Sequence, residues 1–245
     1  MCTVSWLRER RLGASGYRLW FNRDERRTRA PELPAARYET GGVAWLGPGD
    51  GEAGGTWIAV NESGLTVGLL NAYAARRGPA PERSRSRGLL VAELVDARDP
   101  DEILGRLERA DLAPFEPFVL LAVAPDREGL ALRWDGSERS VDEGDADLCP
   151  LCSSGHDQPA AQRARARVWT ELVGECPTTD ALDAFQKSHA PDGPSFLSPC
   201  MHRPDAATRS QVRITVGPDS VDLVHVPGPP CRTPDGPTLR LARRP

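Results

Sequence analysis

The start of this chain can put a thiol and an amine on one residue. Cys2 follows Met1, and a second side chain as small as cysteine lets methionine aminopeptidase remove Met1, which is the expected maturation. The product would carry a thiol with an ordinary pKa of about 8.5 beside an α-amine of about 7.7 to 8.0, a nucleophile with its own base and no need of a histidine. Positive charge nearby would enlarge the thiolate fraction near neutral pH, so Cys2 is expected to be the most reactive of the six cysteines. The matching chemistry is acyl transfer: sulfur attacks an amide carbonyl, the amine carries the proton, and fixed N–H donors hold the oxyanion.

Polar residues gather in three further places. Asn22-Arg23-Asp24-Glu25 closes a β-prone run, Gly54-Gly55-Thr56-Trp57 leads to Asn61, and a later apolar run ends at Asn71. On a strand, Asn22 and Asp24 point to one face and Arg23 and Glu25 to the other, so only one pair readily looks toward Cys2. Arg23 is the expected inward residue, because a thiolate and an oxyanion both want positive charge whereas a carboxylate raises a thiol pKa. Asp24 can still reach the α-amine if the strand ends there.

Other clusters have blander readings. Cys149-x-x-Cys152 with His156, plus Cys200-x-His202, has the residue types of a zinc site, but the halves lie about 50 residues apart and no metal motif joins them. No metal and no cofactor is therefore expected, and these thiols read as packing. Arg163, Arg165 and Arg167 fan around a helix as a solvated face, and the arginine- and proline-rich stretch 76–87 reads as an exposed loop, as does 227–237.

The elements that must position these residues follow from strand runs and turn signals. Runs 3–7 and 17–21 form a hairpin across the turn 13–16. Runs 56–60 and 65–70 pair around Asn61-Glu62-Ser63-Gly64, runs 118–123 and 130–134 around 125–129, and runs 212–216 and 221–226 around 217–219. Four hairpins imply antiparallel sheet. Asp99-Pro100-Asp101-Glu102 marks a helix start, with an N-cap, a proline at the first helical position and a glutamate at the third. Further helices are expected over 88–95, 160–173 and 179–189. No internal repeat or domain linker is visible, so residues 1–245 read as one α+β domain.

Composition narrows the functions. The 245 residues are 39% hydrophobic, enough for a sizeable core, and carry a formal charge of -4. Without a net positive field, whole-domain nucleic-acid binding is not expected. No stretch approaches the roughly 18 apolar residues of a membrane span, and no apolar signal core follows Met1, so a cytoplasmic protein is expected, with its cysteines reduced. The oligomeric state is not legible.

Taken together, Met1-Cys2, Asn22-Arg23-Asp24-Glu25 followed by Arg29-Ala30-Pro31, Gly54-Gly55-Thr56-Trp57, Asn61, Asn71 and Thr208-Arg209-Ser210-Gln211 resemble the NRDE family, also called the transport-and-Golgi-organisation family. That family is similar to the cysteine type of N-terminal-nucleophile hydrolase. The resemblance implies a four-layer αββα sandwich of antiparallel sheets. It implies Cys2 as nucleophile, Arg23 and Asp24 as its second-strand partners, Asn71 as an oxyanion donor and Arg209 as a late arginine near the nucleophile. It further implies Asn22, Glu25, Asn61 and Ser153 around the substrate, with Ser153 standing where a second asparagine is usual. The implied activity is hydrolysis or acyl transfer at a non-peptide amide C–N bond of a small molecule. The alternative is a non-catalytic carrier of haem or acyl-CoA, with His202 or Cys2 on iron and Arg23 and Arg209 on propionates or phosphates.

Overall fold

The computed structural model of the protein describes residues 2–11, 14–76, 80–81 and 84–244. Thirteen strands among them form two antiparallel sheets. The first has the order β10-β1-β2-β11-β12-β13, built from Leu151–Ser153, Cys2–Arg11, Ala14–Arg26, Ala206–Val216, Ser220–Val226 and Thr238–Ala242. The second runs β3 through β9 in sequence order: Leu33–Thr40, Val43–Gly49, Ile58–Asn61, Thr66–Asn71, Phe118–Ala124, Arg127–Trp134 and Arg139–Glu143. The helices are α1 Gly88–Leu94, α2 Pro100–Arg109, α3 Asp145–Leu148, α4 Gln158–Leu172 and α5 Thr179–Lys187.

Strand alternation builds four layers. In β7 every residue is buried: Val119, Leu121 and Val123 enter the core between the sheets, whereas Phe118, Leu120 and Ala122 meet Leu90, Val91, Ile103 and Leu107 of α1 and α2. From the other sheet, Val4, Leu19, Phe21 and Ile214 fill the same central core. Leu7 and Trp20 point outward to Val168 of α4 and to Leu182 and Phe185 of α5. The order helix, sheet, sheet, helix is the expected αββα sandwich. No helix among the described residues is long and apolar enough to cross a membrane.

All four expected hairpins form, and Asp99 caps α2 by accepting the Glu102 N–H at 2.9 Å. Three expectations change. Gly13 lies outside the described residues, but residues 14–16 belong to β2, so the first hairpin is longer than its apolar runs. Helices α4 and α5 end at Leu172 and Lys187, short of the expected 173 and 189. A fifth hairpin, β3–β4, turns at Gly41 and Gly42, whose φ values of 58° and 84° are those a two-residue turn of this hand demands. Its strand β3 is largely exposed, so its sequence lacks an apolar alternation.

Candidate active site

Cys2 begins β1 between two partners, opposite Arg23 of β2 and Ser153 of β10. Opposed residues on neighbouring strands share a face, so the Arg23 side chain lies on the Cys2 side of the sheet, as expected. A cavity of about 590 Å³ opens there. Cys2, Arg23, Asp24 and Glu25 line it from the first sheet, Trp57, Leu69, Asn71 and Tyr73 from the second sheet and the turn after it, and Arg85, Ser86 and Arg87 from the segment before α1.

The pleat of β2 divides the motif. Arg23 is buried; its Nη1 donates to Glu32 Oε2 at 3.2 Å, Nη2 lies 3.7 Å from Glu25 Oε2, and its guanidinium sits 4.5 Å over the Trp57 ring. Glu32 in turn takes a 2.8 Å contact from His225 Nε2. Asp24 faces the helical layer, where its Oδ1 accepts from the Thr208 hydroxyl at 2.6 Å and its Oδ2 lies 3.6 Å from Arg165 Nη2. Burial pushes the Asp24 carboxyl up, and Arg165 draws it back.

Arg165 corrects the sequence reading. Arg163 and Arg167 are exposed, but Arg165 is fully buried. Beyond Asp24, it donates to the Cys2 carbonyl at 3.2 Å and to Thr3 Oγ1 at 2.6 Å. An arginine is tolerated at 0% exposure because a carboxylate and three oxygens receive it, and residue spacing alone does not reveal those partners.

Three other assignments move. Arg209 occupies a β-bulge between Thr208 and Ser210, which turns its guanidinium onto the Arg27 carbonyl and out of the cavity. The Asn22 amide is consumed by the fold: Nδ2 donates to the Gln186 and Pro199 carbonyls, and Oδ1 accepts from Gln211. Asn61 is likewise structural. Its Oδ1 accepts the Ser63 and Leu65 N–H groups across the hairpin turn, and its Nδ2 ties that turn to the Val95 and Ala97 carbonyls after α1. Ser153 Oγ accepts the Cys2 backbone N–H at 3.1 Å, and Asn71 sits in the cavity wall with Nδ2 donating to the Tyr73 hydroxyl at 2.6 Å.

The loop read as wholly exposed also contributes. Gly55, at φ 74°, lies so close under the Gly88 carbonyl that a Cβ there would collide with it, while the Thr56 N–H donates to the same oxygen at 3.0 Å. The Gly-Gly-Thr-Trp segment thereby clamps the start of α1 and holds Arg87 at the cavity. Arg87 is partly buried, donates to the Pro117 carbonyl, and lies 5.4 Å over Tyr73.

With Met1 still attached, the Cys2 thiol is pushed up, chiefly by burial and further by Asp24; the terminal ammonium, the Asp24 backbone hydrogen bond and Arg23 oppose this without reversing it. Arg23 opposes the shift only in part, its guanidinium being shared with Glu32 and Glu25. Among the cysteines, Cys2 is buried and Cys176 is exposed.

A two-sheet sandwich with helices on both outer faces, and a cysteine opening its first strand into a cavity, defines an N-terminal-nucleophile-hydrolase-like fold. The chain belongs to the Transport and Golgi organisation 2 family, the NRDE family, whose model matches residues 1–166. No curated protein matches the sequence. Among solved structures, the chain is similar to penicillin V acylase from Agrobacterium tumefaciens, with a TM-score of 0.57, 13% identity, and 93% of this chain and 83% of that one covered. It is also similar to the Caenorhabditis elegans orthologue of N-acylethanolamine-hydrolyzing acid amidase, with a TM-score of 0.58, 11% identity and coverages of 87% and 92%. A mutant conjugated bile acid hydrolase from Clostridium perfringens gives 0.51, 11%, 89% and 88%.

Proposed function

We propose that the protein is an N-terminal-cysteine amidohydrolase or acyltransferase acting on a non-peptide amide of a small molecule. The observation that carries this reading is the placement of Cys2: first residue of β1, side chain on the cavity face opposite Arg23, backbone nitrogen on Ser153. Removal of Met1, which lies outside the described residues, would turn that nitrogen into an α-amine beside the sulfur. The neutral amine takes the thiol proton as sulfur bonds to the amide carbon. The oxyanion is held by a cavity donor, for which Asn71 and the Asp24 backbone N–H are the candidates. Collapse breaks the C–N bond, the ammonium returns its proton to the departing amine, and a thioester remains on Cys2. Water, or an amine acceptor, then attacks the thioester and releases the acid, or the new amide, with the free thiol.

Two features support a substrate with an apolar and an anionic part. Trp57, Leu69 and Tyr73 offer apolar surface, and Arg87 has no carboxylate partner among the described residues. The relatives of similar fold are, by name, an acylase, an amidase of N-acylethanolamines and a hydrolase of conjugated bile acids.

The carrier reading keeps Cys2 and Arg23 in the cavity and gains Arg87 as a further cation for haem or acyl-CoA, but loses Arg209 and His202, neither of which lines the cavity. Steady-state assay of a panel of small N-acyl amides separates the readings. Turnover that Cys2→Ala abolishes supports the enzyme. No turnover with any member, together with a Soret shift on haem titration, supports the carrier.

A further inference from the structure

We propose that His189, Cys200, His202 and Cys231 form a structural zinc site on the helical side of the first sheet, apart from the Cys2 cavity. Sequence spacing suggested a different grouping, and the fold dissolves it. Cys149 Sγ takes the Trp6 N–H at 3.3 Å, Cys152 is buried on β10, and the His156 ring packs 4.6 Å from Phe196. Cys200 and His202 meet other partners instead.

The donor atoms of the four residues all lie within 4.8 Å of one another. His202 Nε2 is 3.6 Å from Cys200 Sγ and 3.2 Å from Cys231 Sγ. A tetrahedral ion with Zn–S of about 2.3 Å and Zn–N of about 2.0 to 2.1 Å has N···S edges of roughly 3.5 Å, so these two edges are already in place. The His189 and His202 rings stand at 85° with centroids 5.1 Å apart, and His189 Nε2 is buried with no hydrogen-bond partner among the described residues. Two thiols and two imidazoles, one with an orphaned ring nitrogen, leave an incomplete hydrogen-bond network and offer the four donors of a tetrahedral shell.

The topology shows what such an ion would do. His189 follows the end of α5, Cys200 and His202 lie in the approach to β11, and Cys231 lies in the turn between β12 and β13. Neither 188–205 nor 227–237 contains a helix or strand, so an ion would pin two irregular segments that have little backbone ladder of their own. Four protein ligands leave no open position, the mark of a structural rather than a catalytic site. The pinned segment also reaches the active site: the Met201 N–H donates to Thr208 Oγ1 at 2.8 Å, and that hydroxyl donates to Asp24 Oδ1 at 2.6 Å.

The test reads metal, independently of any activity. Full-length protein purified under reducing conditions without chelator is analysed by inductively coupled plasma mass spectrometry, then stripped and titrated with Co²⁺. The expected result is about one zinc per chain, and with cobalt the visible bands of a tetrahedral site plus a thiolate charge-transfer band. Cys231→Ser and His189→Asn should each lose the zinc, while Cys149→Ser keeps it. Should the ligand variants fail to fold, the wild-type cobalt spectrum decides. A folded, reduced wild type that takes up no zinc, a cobalt spectrum without the charge-transfer band, zinc retained by folded Cys231→Ser, or a Cys200–Cys231 disulfide in protein purified under reducing conditions would each overturn the proposal.

Discussion

At the scale of single residues, Asn22-Arg23-Asp24-Glu25 serves two environments that the pleat of β2 keeps apart. Asn22 and Asp24 brace the helical layer, and Arg23 and Glu25 face the cavity. Because burial raises the Cys2 thiol while Met1 is attached, alkylation of Cys2 in protein that retains Met1 should accelerate with pH through and beyond its ordinary value with no plateau near neutrality; stopped labelling followed by peptide mapping reads this, and a plateau below pH 8 would contradict it. Exposed Cys176 should label first at every pH. Arg23→Ala should slow Cys2 acylation about tenfold or more, in line with one charged donor at about 1.5 to 3 kcal/mol, and an unchanged rate in folded protein would remove Arg23 from the site. Arg165→Met should cost roughly 3 to 5 kcal/mol in urea unfolding, because it strands the buried Asp24 carboxylate, and adding Asp24→Asn should recover part of the loss. A single-mutant loss under 1 kcal/mol would mean that Asp24 is neutral in the folded protein.

At the scale of elements, α2 and the Gly54–Gly55 turn show how local sequence sets position. The Asp99 cap was legible because it needs only its own helix, and Asp99→Ala should lower stability by about 1 kcal/mol. Glu102, held at about 2 from an ordinary 4.5 by the Arg98 N–H, Arg106 and Arg98, adds a pH-dependent increment. Its folded pKa is depressed, so that increment is present above pH 4.5 and disappears as pH falls toward 2. Because solvent still reaches its side chain, it should be worth under about 1 kcal/mol, read as the stability gap between wild type and Glu102→Gln at pH 6 against pH 2.5. What sequence could not supply at this scale is pairing between distant strands. The bulge that expels Arg209, and the burial of Arg165 beneath residues 2, 3, 24 and 196, both depend on partners far along the chain.

For the molecule as a whole, the four hairpins and the helices between them carried enough signal to give an α+β domain of antiparallel sheet, because each rests on short-range alternation and turn residues; the four layers were implied by the family resemblance alone. Strands β3 and β9 carried none, because neither buries a face and so neither shows an apolar alternation. The candidate cavity wall was legible where motif and strand coincide, at Cys2 and Arg23. It was not legible where loops close over the cavity, as at Arg87, and neither was the meeting of irregular segments at Cys200 and Cys231. The central claim is that Cys2, freed of Met1, is the acylated nucleophile, and intact mass spectrometry with peptide mapping after incubation with a β-lactone acyl probe tests it most directly. The account predicts protein lacking Met1 that gains one acyl group, mapped to Cys2 and absent from Cys2→Ala. Retention of Met1 in acylated protein, or an acyl group on any other thiol with Cys2 unmodified, would contradict it.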